Sequence, residues 1–337
     1  MEVTSHQSVA VVESSQTSAA RLEARDLAER AGFDETDAHR VGLVATELAT
    51  NLVKHASEGG ELLMRLTTTT PGAEIELMAI DRGPGIRDVG RCLSDGHSTT
   101  GSPGTGLGAI RRLADDFDIF SLPDCGTVVL ARMRARHAAR SARGALDIAV
   151  VSMAKLGEAL SGDAWSVRHY MDGATLLMAD GLGHGFQAAE ASDAAVSAFT
   201  REPLGSTVRT LESIHRALRH TRGAAAAVAE IRRDQRVVRF SGVGNIAAAV
   251  CTNGTIRQAL SHNGTLGLRA QKFGEYTYPW TPESILIMHS DGVSGRWTID
   301  GYPGLNSRDP AVIAAVLFRD FSRSRDDATV LVGREAA

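Results

Sequence analysis

Apolar residues recur along this chain with two periods, and the switches between them outline its elements. In residues 18–31, Leu22, Ala24, Leu27, Ala28 and Ala31 share a helical stripe that Gly32 closes. Asp34, with Asp37 three residues on, reads as the N-cap of a second helix running to about residue 55. Val41, Val44, Leu48 and Leu52 give that helix a core face, while Glu47, Asn51 and His55 recur at i, i+4 and i+8 on another stripe. Strands are predicted over 61–67 and 74–81 around a Pro71-Gly72 turn, then a helical pattern AIRRLADDF, then strands near 118–121 and 126–133. RARHAARSARGAL, residues 134–146, has no apolar period and reads as a linker, giving domains over 1–137 and 138–337. Beyond it, strands are predicted at 146–153, 175–180, 225–231, 237–244, 246–252 and 284–290, with helices at 186–200, 207–219 and 310–321. A last strand follows Asp326-Asp327, and no repeat of fixed period is present. The pattern is that of an α/β (α+β) protein.

Composition narrows this further. A length of 337 residues exceeds one ordinary core, so two domains are the expectation. The 36 basic and 40 acidic residues leave a net charge of −4, without the basic stripe of a nucleic-acid binder, and aromatics at 5% offer no platform for stacking bases. No apolar run approaches the ~20 residues of a membrane helix, and no signal-peptide core opens the chain. Cys92, Cys125 and Cys251 have no metal or disulfide spacing, which fits a reducing cytoplasm. The expectation is a cytoplasmic protein with no nucleic-acid or membrane partner.

The first candidate chemistry lies between Asp81 and Gly108. An apolar run ends in Asp81, and Gly83 and Gly85 make a turn where backbone approaches a flat ligand closely. After a Ser/Thr/Gly-rich stretch, Gly104, Gly106 and Gly108 open a helix whose unpaired N–H groups and positive dipole end suit a polyphosphate. Asp81 can accept the exocyclic amine of adenine, and Asn51 offers Mg²⁺ an oxygen. Glu47, one turn earlier, can take a proton from an attacking hydroxyl. Lys54 reads either as a phosphate partner or as a surface lysine.

The second set lies in the other half. Asp163, Asp180, Asp291 and Asp326 each stand at a strand end, two of them in Asp-Gly pairs. Four such carboxylates suggest a divalent-metal centre in which Asp oxygens hold two Mg²⁺ or Mn²⁺ ions. His184 reads either as a proton donor to a leaving alkoxide or as a structural residue.

In the first half the motifs Glu47–His55 (ELATNLVKH), DRGPGI, Gly104–Gly108 and Gly126-Thr127 resemble the GHKL superfamily of ATPases and kinases. Within it, residues 9–134 look like the anti-sigma-type serine kinases of the RsbT group. The resemblance implies an α/β sandwich binding ATP through Asp81, Gly83, Gly85, Gly104, Gly106, Gly108 and Thr127, with Asn51 on Mg²⁺ and Glu47 as base. No phospho-accepting histidine helix is present to suggest a sensor histidine kinase. Residues 146–335 are similar to the SpoIIE and RsbX branch of metal-dependent serine/threonine phosphatases, on Gly162-Asp163, DGLGHG from Asp180, SHNGTLG, Ser290-Asp291-Gly292 and Asp326-Asp327. That likeness implies an αββα sandwich. In it Asp180 bridges two metals, Gly181 ligates through its carbonyl, Asp291 and Asp326 complete the second site, and Asp163 lies beside it. Asp327 is expected to matter less, and Gly162 stands where many such phosphatases place a ligating Glu. Together the resemblances imply a partner-switching enzyme of stressosome type, kinase and phosphatase on a STAS-domain antagonist, with a homodimer left open. The other reading makes the first half an ATP-binding docking module that regulates the phosphatase without kinase activity.

Overall fold

The structure, a computed structural model, describes residues 5–69, 72–93, 106–135, 144–270, 272–323 and 325–336. The first half begins with β1 (Gln7–Val11), α1 (Ser14–Arg30), α2 (Glu35–His55), β2 (Gly60–Thr69) and β3 (Gly72–Asp81). It continues with the short α3 (Val89–Cys92), α4 (Gly106–Leu113), β4 (Asp116–Ser121) and β5 (Thr127–Arg134). The strands form one antiparallel sheet in the order β1-β2-β3-β5-β4. Helices α1, α2 and α4 pack on one face, where Val41, Val44, Leu48 and Leu52 meet Leu62, Leu77 and Val129 as the helical stripe requires. The Asp34 side chain accepts from Asp37 N at 2.7 Å, so the expected cap is made. Two expectations are corrected. β1 was not expected, because three of its five side chains are exposed and leave no alternation to read. The helix expected over AIRRLADDF stops at Leu113, since Asp116 and Phe117 pair with Arg132 and Ala131 of β5.

The second half contains β6 (Leu146–Met153), β7 (Asp163–Tyr170), β8 (Gly173–Gly181), α5 (Phe186–Arg201), α6 (Thr207–Ala217), β9 (Ala224–Arg232) and β10 (Val237–Val243). After these come β11 (Ala247–Thr252), β12 (Thr255–Gln258), β13 (Tyr276–Pro279), β14 (Ile285–His289), α7 (Pro310–Phe321) and β15 (Ala328–Glu335). Two five-stranded antiparallel sheets, β13-β10-β9-β8-β7 and β12-β11-β14-β15-β6, face each other across Trp165, Met178, Phe240, Leu286 and Leu331. With α5 and α6 outside the first sheet and α7 outside the second, this is the expected αββα sandwich. The expected boundary at 137/138 lies outside the described residues.

α7 does more than cover its own sheet. Every residue from Pro310 to Leu317 is buried, because the free face of the first half's sheet (Leu63, Met78, Phe120, Leu130) packs against the same helix. A helix apolar on all sides needs such a doubly covered place. Its ends are tied to the first half as well. Arg132 makes a two-pronged pair with Asp309, the N-cap of α7, at 2.6 and 2.9 Å, and Asp309 N donates to Asp118 at 2.7 Å. At the other end Arg319 donates to the Asp81 carbonyl at 3.3 Å, and Arg82 donates to the Arg319 carbonyl. Beside this seam the buried His6, Arg65 and Glu76 form a polar group with the half-buried Arg132, where Arg65 reaches the Val150 carbonyl and His6 N donates to Ser152 O.

Candidate functional sites

At the end of β3, Asp81 Oδ1 accepts from Gly83 N at 2.7 Å and Thr127 N at 3.2 Å. Those bonds fix the carboxylate and leave Oδ2 without a partner among the described residues. Burial pushes the Asp81 carboxyl up, against those two N–H donors. Gly85, at φ +68, brings the turn against the Leu122 carbonyl, and a Cβ there would lie 1.9 Å from that oxygen. Ser121 Oγ links the Ile86 N–H to Thr127 Oγ1, holding the turn to β5.

On α2, Asn51 follows Glu47 by one turn, and both are half-buried. The Asn51 amide nitrogen is buried with no hydrogen-bond partner among the described residues, and its oxygen lies against Gly106 at the start of α4. Gly108 is buried in the first turn of α4. The structure therefore brings Asn51 and the glycine helix together. Gly104 and the Ser/Thr/Gly-rich stretch from 94 to 105 lie outside the described residues. An orphaned buried amide, a carboxylate with one oxygen to spare and a helix N-terminus fit adenine, phosphates and a Mg²⁺ ion.

In the second half, Asp163 opens β7 and Asp180 nears the end of β8, and the two are direct cross-strand partners. Asp291 follows β14 and Asp326 precedes β15. Burial first, and then Asp163, Asp291 and Asp326, push the Asp180 carboxyl up to about 8. Burial likewise pushes Asp163 up to about 7, against the hydrogen bond from Ser290. Ser290 Oγ donates to Asp163 Oδ2 at 2.6 Å, while Asp163 Oδ1 is buried with no partner among the described residues. The Gly181 N–H donates to Gly162 O at 3.0 Å, and its Cα sits so close to α5 that a Cβ would lie 2.0 Å from the Ala188 carbonyl.

Three residues that the sequence reading passed over or set aside complete this site. Asn245, in the turn between β10 and β11, donates from one amide nitrogen to Asp180 at 3.3 Å and to Asp291 at 2.6 Å. Among the described residues no three His, Cys, Asp or Glu side chains close around one point; this amide spans two of the carboxylates instead. Asp327 is buried, and its two oxygens accept from Lys155 N at 2.8 Å and Gly162 N at 2.9 Å. It therefore fixes both ends of the loop from 154 to 162, a larger part than expected. Glu158 on that loop takes the Nδ1 of His184 at 2.7 Å. Gly162 follows from packing, since a Cβ there would lie 2.9 Å from both Ala188 Cβ and Asp327 Oδ2. An all-oxygen set of mutually repelling aspartates, one with an orphaned buried oxygen, fits hard divalent cations such as Mg²⁺ or Mn²⁺.

Comparison with known proteins falls on the same two halves. Residues 11–133 match the histidine kinase-like ATPase domain family, and residues 172–334 match stage II sporulation protein E (SpoIIE). The serine/threonine-protein kinase RsbT of Bacillus subtilis (strain 168) is 34% identical over 113 residues, 34% of this chain and 84% of RsbT. The phosphoserine phosphatase RsbX of the same organism is 28% identical over 147 residues, 43% of this chain and 73% of RsbX. A solved structure from the bacterial stressosome, a modular system adapted to control secondary messenger signaling, superposes with a TM-score of 0.53 at 27% identity. It covers 56% of this chain and 99% of its own.

Proposed function

This chain belongs, over its first half, to the RsbT family of serine/threonine kinases, with a SpoIIE-type phosphatase domain behind it, and we propose that both halves are active on one partner. The partner is a STAS-domain antagonist: residues 1–137 phosphorylate its serine or threonine, and residues 138–337 remove that phosphate. The protein acts in the cytoplasm, as a monomer or a homodimer. Among the described residues no helix is long and apolar enough to cross a membrane.

In the kinase half, Asp81 Oδ2 accepts the adenine amine while Gly83 and Thr127 hold Oδ1. Gly83 and Gly85 carry the turn beneath the base, and Gly104, Gly106 and Gly108 lead the phosphates onto the α4 N-terminus. Asn51 holds Mg²⁺ through its oxygen. Glu47 takes the proton from the partner's hydroxyl as its oxygen bonds to the γ-phosphorus and the bond to ADP breaks.

In the phosphatase half, Asp180, Asp163, Asp291, Asp326 and the Gly181 carbonyl would hold two Mn²⁺ or Mg²⁺ ions. When bound, these ions supply an acidified water and charge stabilisation for phosphoryl oxygens. Ser290 fixes Asp163 Oδ2 and so aims the orphaned Oδ1. Asn245 spaces Asp180 from Asp291. His184, whose Nδ1 bonds Glu158, would return a proton to the leaving serine oxygen or hold the loop in place.

The observation that carries this reading is the facing pair Asp163 and Asp180 with one buried oxygen unsatisfied. Its test is mass spectrometry of candidate STAS proteins incubated with the full chain, ATP and Mn²⁺, followed by hydrolysis of the phosphorylated product with and without EDTA. Phosphate gain, then metal-dependent loss, is the expected result. Tight binding without transfer would reduce the first half to a docking module, and hydrolysis indifferent to EDTA would remove the metal site.

A further inference from the structure

We propose that the mouth of the phosphatase site is a docking surface for a folded phosphoprotein, on which Arg222 takes the phosphate and a rim of apolar side chains takes the surface around it. The inference rests on the phosphatase reading above. Three segments build the mouth, and hydrogen bonds tie them together. The first is the turn after Asp180, where Leu182 is 53% exposed and Phe186, the first residue of α5, is 72% exposed. The second is the loop from 154 to 162, which carries Leu156, 87% exposed, and Leu160, 48% exposed. It is pinned to Asp327 at Lys155 and Gly162 and to His184 through Glu158. The third is the lead into β9, where the Gly223 carbonyl accepts from Leu182 N at 3.0 Å. Leu268, 56% exposed, packs against Gly223.

Exposed leucines scattered singly are ordinary, but a gathering of them on fixed segments marks a binding surface. Four of the eleven exposed large apolar side chains among the described residues stand on these joined segments, and a fifth, Leu268, packs against them. A free phosphate ester would need none of them. A protein surface would.

Charge selects which protein. A Cβ on Gly183 would lie 3.2 Å from Arg222 Nη1, so the guanidinium rests on the turn that follows Asp180. Arg222 is exposed and has neither an ion pair nor a hydrogen bond among the described residues. A guanidinium without a carboxylate of its own suits two oxygens of a phosphate dianion. The occupant is therefore a phosphoserine protein with apolar side chains flanking the modified residue.

The test uses the full chain with Mn²⁺ and two substrates, a serine-phosphorylated STAS-domain protein and p-nitrophenyl phosphate. Leu156→Ser with Phe186→Ser should raise KM for the phosphoprotein about tenfold and leave kcat/KM for p-nitrophenyl phosphate within about twofold. Arg222→Ala should raise KM for both substrates with kcat little changed, and Arg222→Lys should fall between. Equal losses on both substrates in the Leu156/Phe186 variant, or an unchanged phosphoprotein KM in every variant, would overturn the proposal. So would a dimer of the wild type that this variant dissolves, since the rim would then be a contact between copies. A wild type that hydrolyses neither substrate would instead sink the phosphatase reading itself.

Discussion

Asp81 and Asp327 are both aspartates beside a strand end that accept two backbone N–H groups, yet only one has an oxygen left over. Asp81 spends Oδ1 alone on Gly83 and Thr127. Asp81→Asn presents a donor to the adenine amine in one of its orientations, and should weaken ATP binding by about 1.5–3 kcal/mol, ten- to a hundredfold. Calorimetric titration of the full chain checks this. The full chain is the right material, because a fragment ending at 137 would bare the sheet face that α7 covers. Asp327 spends both oxygens on the loop from 154 to 162. Asp327→Asn keeps one acceptor and leaves a buried N–H unpaired, at a cost of about 1–3 kcal/mol. A lowered melting temperature together with weaker phosphoprotein hydrolysis is expected, where a metal ligand alone would spare the melt. Asp81, Asp163, Asp180, Asp291 and Asp326 were legible because each ends or opens an apolar run beside glycine or a second Asp. Asn245, Glu158 and Arg222 were not. Their partners lie 46 and 65, 26, and 39 positions away, and no local pattern carries such contacts.

Among elements, α7 decides how the halves are joined. The helix itself was readable from residues 310–321, but that two sheets cover it came only from the structure, which buries every residue from Pro310 to Leu317. Leu317→Ala should therefore destabilise by about 2–5 kcal/mol. Both halves should melt together, and a melt that splits into two transitions would contradict the shared helix. The seam also responds to acid. Burial, with Arg65, lowers the His6 pKa below its usual 6.5, so His6 is neutral in the fold. Burial works to raise Glu76, but Arg65 and Arg132 outweigh it and hold that carboxyl well below its usual 4.5. Both groups are depressed in the fold, so the unfolded chain takes up their protons first. The stability they contribute is whole above about pH 6.5 and declines as pH falls, through His6 first and through Glu76 below about 4.5. Melting temperature against pH should show the first decline near pH 6.5, and His6→Gln should flatten it. β1 escaped the sequence reading because an exposed edge strand shows no alternation, although it carries the chain onward from His6 at this seam.

At the scale of the whole molecule, two sites of opposite chemistry share one chain and one helix. The C-terminal end of α7 touches both neighbourhoods. Arg319 holds the Asp81 carbonyl, while the Phe321 carbonyl and the Arg323 N–H bond Ser294 and Gly292, next to Asp291. The general plan of a sandwich followed by an αββα sandwich was legible from motif order, but the packing between them was not, since the stretch separating them has no apolar period. The central claim is that kinase and phosphatase oppose each other on one partner from separate sites. The most direct measurement follows the phosphorylated fraction of a STAS-domain protein over time, by mass spectrometry, with ATP, Mg²⁺, Mn²⁺ and either the wild type or Asp180→Asn. Phosphoprotein should stay low with the wild type while ATP is consumed, and should rise toward completion at an undiminished initial rate with the variant. A variant that accumulates no more phosphoprotein than the wild type, or that transfers phosphate more slowly, would contradict the account.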